Sequence, residues 1–145
     1  MSFGVEIPFV TLLGFELVRF EGGQSEILYT PAPEHLNSFH VTHGGASMTL
    51  LDVTMAMAAR SDLEHAGVVT VEMKTSFMRP SHGPLIARGK VLHRTATLVF
   101  TEGTVFDEHG KACAHATGTF KTIKRLPVGG KKVHDFNSPS LQNDA

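Results

Sequence analysis

Sixteen consecutive residues, Gly44 to Ala59, carry a single charge, that of Asp52. The segment reads as a long helix running from Gly44 to about Glu64 and closed by Gly67. Met48, Leu50, Leu51, Val53, Met55 and Met57 fall all round it and leave no polar stripe, so such a helix should be enclosed rather than laid on a surface. With 145 residues the chain has room for one continuous core, so the remaining elements must wrap this helix.

Those elements alternate with a period of two. "IPFVTLLG" predicts a short amphipathic helix ending at Gly14, and "FELVRF" and "SEILYT" predict two short strands joined through "EGG". Residues 31–43, with two prolines, an Asn and three histidines, form a loop. After the helix, "VVTVEMKTSFM" places Val69, Val71, Met73, Thr75 and Phe77 on one face and Thr70, Glu72, Lys74 and Ser76 on the other. "LIARGKVLH" puts Leu85, Ala87, Gly89 and Val91 together, "ATLVFTEGTVF" is a further strand, and "KACAHATGTFK" sets Ala112, Ala114, Ala116 and Gly118 against Lys111, Cys113, His115 and Thr117. A strip of such small residues suits a sheet that another backbone element approaches closely. The fold class expected is therefore α+β, one long central helix wrapped by a curved antiparallel sheet of five to six strands. Residues 1–126 form the domain; residues 127–145, rich in Gly, Pro, Ser and Asn, read as a flexible tail.

A net charge of −1 gives no electrostatic reason to expect nucleic acid or an anionic membrane as partner. One cysteine, Cys113, excludes an intrachain disulfide and makes a thiolate metal cluster unfavourable; it reads as structural. The N-terminus lacks a basic stretch followed by a long apolar run, and no uncharged apolar segment is long enough to span a bilayer, which predicts a cytoplasmic protein. Nine histidines raise the question of a metal; His40 and His43 could converge on one, but nothing completes the coordination set.

The first-turn N–H groups of a helix lack intrahelical acceptors and sit at the positive end of its dipole. Gly44 and Gly45 leave that end bare, which suits an oxygen that gains negative charge; they also suit a plain loop-to-helix turn. A buried Asp52 needs polar company, and Thr49, three residues back, can donate to it; the acid is a structural residue so satisfied, or a functional one. Eight residues of helix separate Gly44 from Asp52 by about 12 Å, too far to serve one small reacting group. If both act on one substrate, they come from two antiparallel copies of the helix about a two-fold axis, and the enzyme is a dimer.

"HGGASMTLLD", preceded by Asn37 and followed by "VTVEMKTSFMRP", resembles the hotdog-fold acyl-CoA thioesterases and within them the PaaI-like group, over most of residues 8–121. The resemblance implies hydrolysis of aryl or short to medium acyl-CoA thioesters without metal or redox cofactor, in a homodimer or a dimer of dimers. By position, the Gly44 N–H would polarise the carbonyl. Asp52 of the facing subunit would be general base or nucleophile, and Thr70 would help position water. Asn37 would close the site, and His43 would hold the loop or touch the thioester. Gly45, His40, Arg79, His93 and Arg94 are further substrate-binding candidates, with Lys124 and Arg125 behind them. Met48, Met55 and Phe39 would suit an aryl or medium acyl group. The chain departs from the family at His40, commonly Gly, and at Thr95-Ala96, often Gly-Arg. Two other functions remain open: a hotdog hydratase or dehydratase, although the loop that usually precedes its helix is absent, and a non-catalytic acyl-CoA or small-aromatic binding protein.

Overall fold

The computed structural model describes residues 1–63 and 66–124; Glu64, Arg125 and the expected tail lie outside the described residues. A short helix, α1 (Pro8–Leu13), is stopped by Gly14, whose φ of 77° closes it in the left-handed conformation that glycine adopts at no steric cost. Two strands follow, β1 (Glu16–Glu21) and β2 (Gln24–Tyr29), and then the long helix α2 (Gly44–Arg60). Four longer strands complete the fold: β3 (Gly67–Phe77), β4 (Leu85–Arg94), β5 (Leu98–Asp107) and β6 (Ala112–Ile123). They make one antiparallel sheet in the order β1-β2-β4-β5-β6-β3, and α2 touches every strand of it. This is the hotdog arrangement. Among the described residues no helix is long and apolar enough to cross a membrane.

Where α2 crosses the sheet, a row of small residues runs from strand to strand: Ser25 beside Gly89, Gly89 beside Gly103, Gly103 beside Ala116, Ala116 beside Thr75. The helix comes so close that a Cβ on Gly89 would stand 2.8 Å from the backbone oxygen of Thr54, and the Ser25 hydroxyl donates to that same oxygen at 2.5 Å. Leu50, Leu51, Met55, Ala58 and Ala59 fill the core from the helix side, and Leu17, Ile27, Tyr29, Ala87, Val99, Val105 and Phe120 from the sheet. Gly89→Ala is expected to cost about 3 kcal/mol of stability, because the clash is with helix backbone that cannot turn aside. Gly118→Ala meets side chains rather than backbone, the flexible end of Met55 at 3.0 Å and the Phe120 ring at 3.2 Å, and should cost less, about 1–2 kcal/mol; denaturant midpoints of the two variants check the contrast.

The sheet curves through bulges that strict alternation does not reveal. Register shifts leave Val18, Val71 and Leu92 without a cross-strand partner and Cys113 without one in β5. The bulge in β3 overturns the expected faces: Thr70, Met73 and Phe77 all turn toward α2, so Thr70 does not lie opposite Met73.

Two further expectations are corrected. The helix ends at Arg60, and Gly67 opens β3; the last turn is held by the Ser61 N–H and hydroxyl, both donating to the Ala58 carbonyl. Nor is α2 enclosed on every side. Gly45, Met48, Thr49, Asp52, Val53 and Ala56, spaced by three and four residues, form a half-buried to exposed stripe along it, because the sheet wraps one side of the helix and β3 stops at its margin.

Candidate functional site

The loop before α2 is built on itself. Asn37 donates its N–H to the Val41 carbonyl at 2.8 Å and accepts the Val41 and Phe39 N–H groups on its side-chain oxygen at 3.3 and 2.9 Å. Asn37 thus shapes the loop with its oxygen and leaves its amide nitrogen without an acceptor among the described residues. His40, at the tip, has φ 59°, the left-handed region that glycine enters most easily; a loop of this shape is why glycine suits the position. His40 is exposed and borders neither hollow described below.

His43 caps the helix. Its Nδ1 accepts the Gly45 N–H at 2.8 Å, so the neutral ring carries its proton on Nε2. A Cβ on Gly45 would sit 3.1 Å from that Nδ1, so glycine is what lets the cap close. The Gly45 amide is therefore occupied, and the Ala46 and Ser47 amides both reach the His43 carbonyl. Among the described residues the Gly44 N–H alone in this first turn has no acceptor. It opens on a hollow of about 630 Å³ bordered by Asn37, Phe39, Val41, Phe77, Met78, Arg79, Pro80 and His82, mostly apolar with Asn37, Arg79 and His82 among its walls. Phe77, unassigned from sequence, lies in van der Waals reach of Gly44, 3.4 Å from where a Cβ would be; the bulge in β3 is the missing signal.

Asp52 stands on the open stripe of α2, in a second, shallow hollow of about 260 Å³ shared with Met48, Thr49, Thr70 and Met73. The Thr70 hydroxyl donates to Asp52 Oδ1 at 2.6 Å. Thr49 does not serve the acid: its hydroxyl donates to the Gly45 carbonyl one turn back at 2.8 Å. Burial pushes the Asp52 pKa above its ordinary value, and the Thr70 hydrogen bond pulls it partly back. Met55 is not near this site; it is fully buried against Gly103 and Gly118.

The two hollows share no residue, as the helical spacing requires. A single chain therefore offers a bare amide with Asn37, Arg79 and Phe77 in one place, and a partly buried carboxylate with Thr70 in another. Arg94 belongs to neither. The Leu92 bulge turns it inward, where its Nη2 donates to the Ala59 carbonyl at 3.0 Å, a cation serving the negative end of α2. His93 is exposed, its ring 6.0 Å from that of Phe100. Neither stands beside Gly44 or Asp52.

Comparison with known proteins settles the family. The model of the thioesterase superfamily matches residues 39–114, a span that includes Gly44, Asp52 and Thr70. The chain belongs to the thioesterase superfamily. Thioester or ester hydrolysis is the activity class that membership carries. A Saccharolobus solfataricus protein provisionally named an esterase is 29% identical over 113 residues, covering 77% of this chain and 81% of that one. Among solved structures, a conserved protein of Pseudomonas aeruginosa is 29% identical with a TM-score of 0.79, covering 83% of this chain and 97% of its own. The Escherichia coli PaaI protein from the phenylacetic acid degradation operon shares the fold at 22% identity and a TM-score of 0.74, covering 85% and 86%.

Proposed function

We propose that this superfamily member hydrolyses acyl-CoA thioesters, aryl or short to medium, to the free acid and CoA, at sites shared between two copies of the chain. The observation that carries this reading is the pairing of one unoccupied amide, that of Gly44, with one carboxylate, Asp52, on an uncovered stripe of the same helix about 12 Å away. Laid antiparallel about a two-fold axis, two such helices cover each other's stripe and bring each amide to the other's acid, twice. A further pairing into a dimer of dimers is compatible with this arrangement.

In such a site the thioester carbonyl oxygen accepts the Gly44 N–H, and the helix dipole favours the negative charge that develops there. Asp52 of the facing subunit takes a proton from water as the water oxygen attacks the carbonyl carbon. Collapse of the tetrahedral intermediate breaks the C–S bond, and the thiolate leaves and is protonated. Asp52 could equally attack as nucleophile, with water then cleaving the anhydride; the acid and the amide have the same places in both routes. The chemistry calls for neither metal nor redox cofactor. Asn37, through its unoccupied amide nitrogen, and Arg79 are the polar contacts this reading assigns beside the thioester and to a CoA phosphate. The test is release of free thiol over a panel of aryl, short and medium acyl-CoAs; absence of turnover with every member would overturn the reading.

Thr70→Val tests how the acid is held. Without the hydroxyl nothing offsets the effect of burial, so the Asp52 pKa rises further. The base must be ionised to act, so the acidic limb of the kcat profile is expected to move to higher pH, with kcat on the plateau falling about tenfold. A limb that stays in place would show that Asp52 does not set it.

A further inference from the structure

The loop over residues 30–43 carries Asn37 and ends at the helix cap, yet it has little regular structure to fix it. Among the described residues its side-chain hydrogen bond to the sheet is made by His35. The Tyr29 hydroxyl meets His35 Nδ1 at 2.8 Å, and the Ala32 N–H donates to the same nitrogen at 3.0 Å. With the Ala32 amide committed to it, Nδ1 is the acceptor, the ring proton lies on Nε2, and Tyr29 is the donor. Tyr29 itself is immobile: it is 1% exposed, and the Phe15 ring stands edge-on to it at 4.8 Å. Burial pushes its pKa up to about 12, so it remains a donor across the working range.

The backbone of the same residue continues the connection. The His35 carbonyl accepts the His43 N–H at 2.9 Å, and the His43 ring in turn accepts the Gly45 N–H at 2.8 Å. The Gly44 amide lies between these two fixed points. A continuous path of hydrogen bonds therefore runs from a rigid ring in β2 to the first turn of α2. The second tie of the loop, the Thr42 N–H to the Ser81 carbonyl at 3.0 Å, fixes its height over the β3–β4 turn but does not touch the cap.

We propose that His35 is a positioning residue for the reaction, holding the Gly44 amide in place through His43 while itself held by Tyr29. This rests on the reading that the Gly44 amide receives the thioester carbonyl. Donors to a developing oxyanion act only when placed within a few tenths of an ångström, and a misplacement of about 1 Å can cost on the order of 10²-fold. Substrate affinity, spread over a large hollow, depends on this placement far less.

The experiment compares His35→Ala with His35→Asn, whose side-chain oxygen can take the place of Nδ1. Binding of a non-hydrolysable thioether analogue of a good acyl-CoA substrate gives both the number of competent sites and their affinity. His35→Ala is expected to lose about tenfold in kcat per competent site, with analogue affinity within about twofold of the parent and faster hydrogen exchange at the Gly45 amide. His35→Asn should regain most of the loss. An unchanged kcat per site in His35→Ala, an affinity that falls as far as kcat, or an Asn variant no better than Ala would each overturn the proposal. If His35→Ala does not fold, Tyr29→Phe removes one hydrogen bond alone and should lower kcat about threefold, no change overturning the proposal. A parent chain that turns over no acyl-CoA defeats the underlying reading and this proposal with it, and is told apart from failure of His35 alone by the parent assay.

Discussion

Asp52→Ala should lower kcat for acyl-CoA hydrolysis at least about 10²-fold, the scale of a lost acid–base group, and leave affinity for a thioether analogue nearly unchanged. In the proposed mechanism the carboxylate acts on water or on the carbonyl carbon, whereas binding draws on the apolar hollow beside Gly44, which in one chain does not include Asp52. The loss should thus appear in kcat and in kcat/KM alike. Asp52→Asn, which keeps the shape and can still accept from Thr70, should lose as much turnover, since an amide is neither base nor nucleophile. Neither variant should be less stable at neutral pH through loss of the charge. The folded state raises the pKa of this acid, so the stability it contributes is full at pH below its unfolded value and is lost as pH rises through the folded one. A Tm at pH 7 equal to or above that of the parent would agree with that sign. Thiol release from the Ala variant at the parental rate would remove Asp52 from the chemistry and favour a binding role for the pocket.

The sequence made the wrapped helix legible because an all-round apolar segment has few places to go, and the strands because alternation survives wherever a strand has one face on the core. In β4, Leu85, Ala87, Gly89 and Val91 do share the inner face, and Ala114, Ala116 and Gly118 of β6 lie under the helix. What alternation misses is a single inserted residue. Val71 and Leu92 look like ordinary apolar members of their strands, yet each is exposed and without a cross-strand partner. One bulge brings Thr70 to Asp52, and the other takes Arg94 to the Ala59 carbonyl. Thr49 looked like the partner of Asp52 by helical spacing alone, but a threonine within a helix can bond its own preceding turn, and this one does. The apolar pattern of α2 was legible while its uncovered stripe was not, since Met48, Val53 and Ala56 on that stripe are as apolar as the residues that face the sheet. The His43 cap on Gly45 depended on the rotamer of one ring, which spacing does not specify.

Replacing Gly44 with proline removes the one unoccupied amide of the first turn without breaking the helix. Gly44 is the first residue of α2, where proline is tolerated because the missing N–H has no helical acceptor to lose. The residue before a proline must be extended, and His43 already is, at φ −59° and ψ 137°. A Cβ at position 44 meets Phe77 at an ordinary contact distance of 3.4 Å. Gly44→Pro should therefore fold, keep the His43–Gly45 cap, and lose about 10²- to 10³-fold in kcat, the cost of one oxyanion donor. Mixing it with Asp52→Ala then separates a shared site from one built within a single chain. In a hybrid dimer of the two variants, the Asp52→Ala chain supplies an intact Gly44 and the Gly44→Pro chain an intact Asp52, so one of the two sites is whole. Random reassembly makes half the dimers hybrid, and activity should return to about a quarter of the parental value. If the amide and the acid worked within one chain, every site in every dimer would carry a lesion and mixing would restore nothing.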